Sequence, residues 1–203
     1  MDDVERAVAA LERGGLIVYP TETLYGLGAD ASSSEAVDHL ADLKGRDGDK
    51  PVSVLVASRP MLDEIASTIP PIAERLAAAF WPGPLTIVFP AKSGLSARLT
   101  AGSGTIAARV SSHAIAQRIV TALGRPLTAT SANPGGSPPA REVAAARAYF
   151  GGRVEVYVDG GPTAAGPAST VVDCSVTPPR LVREGAIAIG RIEAAAGMRL
   201  RRE

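Results

Sequence analysis

The chain has 203 residues, close to the size of one domain, and 46% of them are hydrophobic, which is enough for a folded core. Its 21 basic and 21 acidic residues cancel, and it holds one Trp, four Tyr and three Phe, which argues against a protein that coats nucleic acid or stacks its bases. One cysteine, Cys174, and two histidines exclude an internal disulfide and a structural zinc site. The charged N-terminus and the absence of an apolar run of about 18–20 residues predict a cytoplasmic protein with no membrane segment.

Helical and strand patterns alternate along the chain. Asp2 or Asp3 can cap a first helix that ends at Gly14, and Gly124 can end a later one. The predicted helices are this first one, one capped by the serines at 32–34, and those at 61–66, 72–80, 114–123 and 142–150. The predicted strands are 16–19, 52–56, 85–89, 105–108, 126–130, 154–158, 170–173 and 180–182. This mixture predicts an α/β protein in which helices cover one sheet, in a single domain over residues 1–203.

Positive charge is concentrated in the middle of the chain. The stretch from Arg75 to Arg141 holds seven basic residues and no acidic one. One interpretation is a solvated surface. The other is that part of the stretch lines an anion-binding site while the acids lie elsewhere.

A first polar cluster follows the predicted strand 16–19. Residues 21–25 place two hydroxyls, a carboxylate and a phenol at the end of that strand, an edge where open α/β sheets bind ligands. A simple polar turn is the alternative. Gly26 and Gly28 match a dinucleotide-binding fingerprint, but the first glycine does not follow the strand directly, so we do not expect a Rossmann site.

Two more polar clusters follow a predicted helix and a predicted strand. Lys44 and Arg46 leave the end of the second helix as exposed cations, an arrangement that suits either a helix cap or a triphosphate clamp. Residues 128–136 place hydroxyl and amide groups at and beyond the end of the strand 126–130. These groups suit either a turn or a ligand-binding loop.

Taken together, the clusters resemble the YrdC family, whose activity is the synthesis of L-threonylcarbamoyladenylate. The resemblance covers about residues 5–195 and is to the short, single-domain form of the family. It rests on eight segments: PTETLYGLG at 20–28, KGR at 44–46, WPGPLT at 81–86, TIAAR at 105–109, SAN at 131–133, DGG at 159–161, STVVD at 169–173 and REG at 183–185.

The resemblance implies a twisted mixed sheet, flanked by helices, around a concave and positively charged cavity. It implies that threonine is held by Thr21, Arg109, Ala129 and Ser169, with Arg109 paired to the substrate carboxylate. It implies that ATP is held by Lys44, Arg46, Thr105, Ser131, Asn133 and Arg183. Lys44 and Arg46 would also be the catalytic residues, because they would neutralise the phosphates.

Such an enzyme would be a nucleotidyltransferase that joins L-threonine, bicarbonate and ATP, with Mg²⁺ bound to the phosphates and no organic cofactor. Its product would pass to a tRNA threonylcarbamoyl transferase complex, which modifies position 37 of tRNA. No protein ligands for a metal are predicted. The alternative is an RNA-binding or regulatory module that uses the same basic cavity. Hydrogenase maturation factors contain a similar domain, but their cysteine-rich zinc segments cannot be supplied by one cysteine.

Overall fold

Two mixed β-sheets flanked by α-helices form the fold in the computed structural model, which describes residues 1–45, 51–164 and 166–202. The α-helices are α1 (Asp3–Glu12), α2 (Ser34–Lys44), α3 (Pro71–Phe80), α4 (Ala97–Thr100), α5 (Ala114–Leu123), α6 (Val143–Phe150) and α7 (Ile189–Ala196), and 3-10 helices cover Arg59–Glu64 and Gly151–Arg153. The strands are β1 (Ile17–Pro20), β2 (Tyr25–Gly28), β3 (Val54–Leu55), β4 (Leu85–Pro90), β5 (Thr105–Arg109), β6 (Leu127–Thr128), β7 (Thr130–Ser131), β8 (Val156–Tyr157), β9 (Thr170–Asp173), β10 (Arg180–Arg183) and β11 (Arg201–Arg202). The α/β class is therefore confirmed.

The helices begin and end at the capping residues that the sequence contains. Asp2 and Glu5 form a capping box at α1, because each carboxylate accepts the backbone N–H of the other residue at 2.8 Å. Ser33 caps α2 by accepting the N–H of Ala36 at 3.2 Å. Gly124 ends α5 with a φ of 66°, a left-handed conformation that glycine adopts without steric cost.

The prediction of one sheet is wrong, because the described strands form two. The smaller sheet has the order β7-β2-β1-β8 and the larger has the order β11-β10-β9-β4-β5-β3-β6. The predicted strand 126–130 divides at Ala129, so that Thr128 pairs with β3 of the larger sheet and Thr130 pairs with β2 of the smaller. Ala129 itself donates its N–H to the carbonyl of Ser53 at 2.7 Å. One short segment thus connects the two sheets.

Strand β2 was not predicted, since glycine is a poor strand former. It forms an antiparallel hairpin with β1 in which Tyr19 lies opposite Gly26. The Tyr19 ring is fully buried, and a Cβ atom at Gly28 would lie 2.8 Å from its Cε1 atom. Gly26 and Gly28 therefore make room for an aromatic ring. Because they lie within a strand, they do not form the loop of a dinucleotide-binding site. Helices α4 and α7 and strand β11 were also missed.

One face of the larger sheet packs in the core and the other lines a cavity, because successive strand residues point to opposite sides. Ile87 and Phe89 of β4 are fully buried in an apolar cluster that also holds Leu76 of α3 and Ile192 of α7. Thr86 and Val88 point to the other side, where they line a cavity to which no described helix contributes a residue. No described helix is long and apolar enough to span a membrane.

Candidate functional site

Strands of both sheets line one cavity of about 380 Å³. The larger sheet contributes residues of β4, β5, β9 and β10, and the smaller contributes β2 and β7. The turn of the β1–β2 hairpin and the segment before β9 also contribute, and the remaining lining residues are Pro51, Ser53, Ala129 and Pro139. Six predicted site residues lie in this lining: Thr21, Arg109, Ala129, Ser131, Ser169 and Arg183. The cavity therefore brings together all four residues predicted to hold threonine.

The remaining predicted residues lie elsewhere. Lys44, Asn133 and Thr105 are not in the lining, and Arg46 lies outside the described residues. Thr105 is at the far end of β5, about 13 Å along the strand from Arg109 at the usual rise per residue. Its hydroxyl oxygen lies 2.7 Å from that of Ser103. The roles of these residues toward ATP stay predictions.

Arg109 is held by a carboxylate that sequence reasoning did not assign to the site. Arg109 is 7% exposed, and its Nη1 donates to Oε1 of Glu22 in an ion pair. The hydroxyl of Ser111 donates to Oε2 of the same carboxylate, and Ser111 Oγ accepts the N–H of His113 at 3.2 Å. Burial lowers the pKa of the His113 imidazole, although the negative charge of Glu22 opposes this shift. The signal for Glu22 was its place between two threonines in the first polar cluster.

Ser169 belongs to a group of polar side chains on the floor of the cavity. Its hydroxyl oxygen lies 2.9 Å from the hydroxyl oxygen of Thr86, which is itself buried. Arg183 donates from Nη2 to the carbonyl of Ser169 at 2.8 Å and from Nε to the same oxygen at 3.2 Å. Desolvation of its guanidinium and the positive charge of Arg109 lower the pKa of Arg183. Thr86 was missed as a site residue, although it ends the segment WPGPLT.

Thr21 stabilises the hairpin turn on the cavity wall. Its hydroxyl donates to the carbonyl of Leu24 at 2.6 Å and accepts the N–H groups of Leu24 and Thr23 at 3.2 and 3.3 Å. The interpretation of residues 21–25 as a polar turn is therefore correct for Thr21. Thr21 also lines the cavity, and its role in binding a ligand stays a prediction.

The prediction of Lys44 as an exposed cation is wrong. Lys44 is 5% exposed, and its Nζ donates to the carbonyl oxygens of Ser131 and of Asn133, the latter at 2.7 Å. Asn133 is also buried, and its Nδ2 donates to the carbonyls of Pro134 and Ser137 at 2.9 and 2.7 Å. The ammonium group of Lys44 therefore supports the loop that carries two of the predicted nucleotide contacts, Ser131 and Asn133.

The acid-free stretch between Arg75 and Arg141 contributes one of its cations to the cavity, and the binding of an anion there stays a prediction. Of its seven cations only Arg109 lines the cavity. Arg98 and Arg125 pair with acidic residues from other parts of the chain, Asp38 at 3.6 Å and Asp30 at 3.0 Å. The interpretation of this stretch as a solvated surface is therefore correct for most of its members.

The described residues contain no cluster of the side chains that most often bind metal ions. Among them no group of three His, Cys, Asp or Glu side chains could hold a metal ion. Both oxygens of Glu22 already accept hydrogen bonds from Arg109 and Ser111. Glu22 is thus engaged by protein groups, and the binding of Mg²⁺ together with ATP stays a prediction.

Known proteins resemble the chain over almost its whole length. The sequence model of the Sua5_yciO_yrdC family, described as telomere recombination, matches residues 9–185. The threonylcarbamoyl-AMP synthase of Pyrococcus abyssi is 39% identical over 191 residues, which are 94% of this chain and 56% of that protein. A protein of Mycobacterium leprae is 40% identical over 195 residues, 96% of this chain and 88% of that protein.

The similarity extends to three-dimensional structure. The crystal structure of Pyrococcus abyssi Sua5 complexed with L-threonine matches 99% of this chain and 60% of that chain, with a TM-score of 0.94 and 37% sequence identity. This match confirms the twisted mixed sheets flanked by helices. The chain spans a little more than half the length of the Pyrococcus relative.

Proposed function

Because the chain belongs to the Sua5/YciO/YrdC family, we propose that it is an L-threonylcarbamoyladenylate synthase, a nucleotidyltransferase that joins L-threonine, bicarbonate and ATP and releases pyrophosphate. The observation that carries the proposal is the meeting of Thr21, Arg109, Ala129 and Ser169 around one cavity, although they are far apart in the sequence. The name of the Pyrococcus relative and its complex with L-threonine support the same substrate.

Threonine would bind at the end of the cavity that holds Arg109. The guanidinium donates N–H groups in a fork that matches a carboxylate, and Glu22 fixes its orientation. The hydroxyls of Thr86 and Ser169 and the backbone of Ala129 supply further polar groups for the substrate hydroxyl and amine. These groups are held by the protein before substrate binds, which lowers the entropic cost of orienting it.

The reaction needs no covalent intermediate with the protein. The deprotonated amine of threonine attacks the carbon of CO₂ released from bicarbonate, a carbamate forms, and the proton that the amine loses joins the hydroxide from bicarbonate as water. A carbamate oxygen then attacks the α-phosphorus of ATP, the bond to the bridging oxygen breaks, and pyrophosphate leaves with the electron pair. Both reactants are anions, so positioning and cationic groups lower the barrier. Arg183 is the cation of the lining that is free of a carboxylate partner among the described residues.

The nucleotide would extend from Arg183 toward the loop that Lys44 supports. Ser131 lines the cavity, whereas Asn133 is buried behind it with an Oδ1 atom that has no hydrogen-bond partner among the described residues. We propose that Ser131, Asn133, Lys44, Arg46 and Thr105 form the nucleotide side of the site, with Mg²⁺ bound to ATP. Of these, Lys44 acts through the loop it holds.

The product would pass to a transferase complex that modifies position 37 of tRNA. Because ATP and tRNA occur together in the cytoplasm, we expect the reaction to take place there. Weak RNA binding stays a prediction of the same proposal. A regulatory RNA-binding module is not favoured, because the cavity lining contains one aromatic residue, Tyr25, whose hydroxyl is bonded to the Gly161 carbonyl at 2.8 Å.

Pyrophosphate release, with threonine, bicarbonate and ATP omitted in turn, tests the proposal. We expect release only with all three, together with a product of the mass of threonylcarbamoyl-AMP. Arg109→Lys should lower kcat/KM for threonine, because lysine lacks the fork. Arg59→Lys is the matched control, since Arg59 pairs with Glu74 at the surface. Pyrophosphate release that does not require threonine would overturn the proposal.

A further inference from the structure

The two arginines that line the cavity differ in how their charge is compensated. Arg109 is buried and forms an ion pair with Glu22, whose side chain is 16% exposed. Arg183 directs its hydrogen bonds to the carbonyl and the hydroxyl of Ser169, which carry no charge. Among the described residues Arg183 has no carboxylate partner. One end of the cavity is thus neutral in net charge, and the other is cationic.

Glu22 does not line the cavity but contacts a residue that does, Arg109. Its neighbours Thr21 and Thr23 both line the cavity, but Glu22 does not. One carboxylate oxygen accepts from Arg109 and the other accepts from Ser111. Because both oxygens are engaged, Glu22 has little capacity to bind a substrate group directly. Its effect on a ligand must therefore come from its charge and from the orientation it gives to Arg109.

The neutral end suits a ligand of zero net charge. A free amino acid is a zwitterion. A guanidinium whose charge is balanced by a neighbouring carboxylate can still donate its remaining N–H groups to the carboxylate of the amino acid. An inorganic polyphosphate is a polyanion, and it gains most from an uncompensated cation. Because the positive charge of Arg109 lowers the pKa of Arg183, the two guanidinium groups lie within electrostatic reach of each other. Without Glu22, both would attract the same polyphosphate.

We propose that Glu22 determines which ligand occupies the Arg109 end of the cavity. By neutralising Arg109 it keeps pyrophosphate and nucleotide phosphates out of the place where the amino-acid zwitterion binds, and it leaves Arg183 to attract the phosphates. Glu22 is in this sense a specificity-determining residue that touches no substrate. The inference rests on the proposed function and deepens it.

Titration calorimetry with two probes, L-threonine and inorganic pyrophosphate, tests the proposal. The variant is Glu22→Gln, which keeps an oxygen that can accept from Arg109 but removes the charge. We expect the ratio of the threonine Kd to the pyrophosphate Kd to rise by about tenfold or more, the effect of one uncompensated charge at a partly buried site. We also expect pyrophosphate to compete with threonine in the variant, whereas the wild type binds both at once.

The control variant is Glu74→Gln. Glu74 also pairs with an arginine, Arg59 at 2.6 Å, but this pair is exposed and neither residue lines the cavity. The ratio of dissociation constants should stay within about twofold of the wild type, as expected for a surface ion pair. Glu22→Asp separates charge from shape: it keeps the charge, so pyrophosphate should still be excluded even where threonine binding weakens.

A measurement on the wild type keeps the proposal testable should Glu22→Gln fail to fold. Raising the salt concentration should weaken pyrophosphate binding steeply and change the threonine Kd by less than about twofold, because only the first ligand carries a net charge. Pyrophosphate that competes with threonine in the wild type would overturn the inference. So would a Glu22→Gln variant in which both ligands weaken equally or neither changes. Wild-type protein that binds no threonine would overturn the proposed function itself.

Discussion

The hydroxyl oxygens of Thr86 and Ser169 lie 2.9 Å apart at the floor of the cavity. Thr86 lies in β4 and Ser169 directly precedes β9, and these two strands are paired in parallel. Arg183 donates to the same Ser169 hydroxyl at 3.3 Å. A hydroxyl that accepts from an arginine has its own proton left to donate, so the pair can present a donor to a ligand in the cavity.

Thr86→Val should therefore raise KM for threonine while leaving the shape of the side chain at position 86 almost unchanged. Valine keeps the volume of threonine but removes the hydroxyl, and we expect a cost of roughly 1–2 kcal/mol, as for one lost hydrogen-bonding partner. Steady-state kinetics with varied threonine would measure it. Thr121→Val is the control, because Thr121 is exposed on α5 and its variant should leave KM unchanged.

The same pair can be tested for coupling. Ser169→Ala and Thr86→Val should cost less together than the sum of the two single variants, because either change alone already breaks their bond. Strict additivity of the two effects on threonine kcat/KM would contradict the idea that the two hydroxyls act as one unit.

Lys44→Ala should lower the stability of the protein as well as the rate of the proposed reaction. The variant leaves the carbonyl of Asn133, which is buried, and that of Ser131, which is partly buried, without their charged donor, and we expect a loss of roughly 1.5–3 kcal/mol in the free energy of unfolding. Urea denaturation would measure this loss. Lys92→Ala is the control, because Lys92 is exposed and its loss should change stability by less than about 0.5 kcal/mol. Equal stability of the two variants would contradict the supporting role of Lys44.

Gly28→Ala should also destabilise the fold. The new Cβ would lie 2.8 Å from Tyr19 Cε1 and 3.0 Å from Ile17 Cγ1, both fully buried, so the core must shift at a cost of roughly 1–3 kcal/mol. Gly190→Ala is the matched control. Gly190 lies exposed in α7 with no atom near a new Cβ, and this change should raise stability by about 0.5–1 kcal/mol. Thermal melts of the two variants should move in opposite directions.

Cys174 should be unreactive until the chain unfolds. It is 3% exposed, and burial, aided by the charge of Asp173, raises the pKa of its thiol to about 12. Aromatic disulfide reagents at pH 8 should label it at least about a hundredfold more slowly in buffer than in urea, where the thiol is accessible and has an ordinary pKa. Cys174→Ser should abolish labelling in urea, since the chain has one cysteine. Fast labelling of the folded protein would contradict this prediction.

Local signals in the sequence were sufficient for most helices and strands. The predicted helix 114–123 matches α5 at both ends, because Gly124 is a strong termination signal that needs no tertiary contact. The predicted strand 126–130 failed at Ala129, where the chain leaves one sheet for the other. That division depends on β2 and β3 as partners, and no local pattern contains them. Strand β2 was missed for the same reason. Gly26 and Gly28 are poor strand formers by themselves, and they are required there because the Tyr19 ring packs against them.

Charge was the property that the sequence predicted least well. Lys44 is the last residue of α2 and precedes a glycine, a setting typical of an exposed helix end, yet the loop at Ser131 buries it. Glu22 and Arg109 are 87 positions apart, so their ion pair depends on the meeting of the hairpin with β5. The residue types in the candidate site could be predicted, but the pairing that sets its electrostatics could not.

Amino-acid selectivity should follow the order threonine, serine, valine. Serine lacks only the methyl group, and one lost methyl contact costs about 1–3 kcal/mol, so serine should be a poor substrate. Valine keeps the volume but has no hydroxyl, so the hydroxyls of Thr86 and Ser169 would face a methyl group in a desolvated cavity, which is a larger penalty. Adenylate formation with each amino acid at fixed bicarbonate and ATP would measure the order. In Thr86→Val the gap between threonine and valine should narrow, because one of the two hydroxyls that valine leaves unpaired is gone. Valine used as well as threonine by the wild type would contradict the assignment of these hydroxyls to substrate recognition.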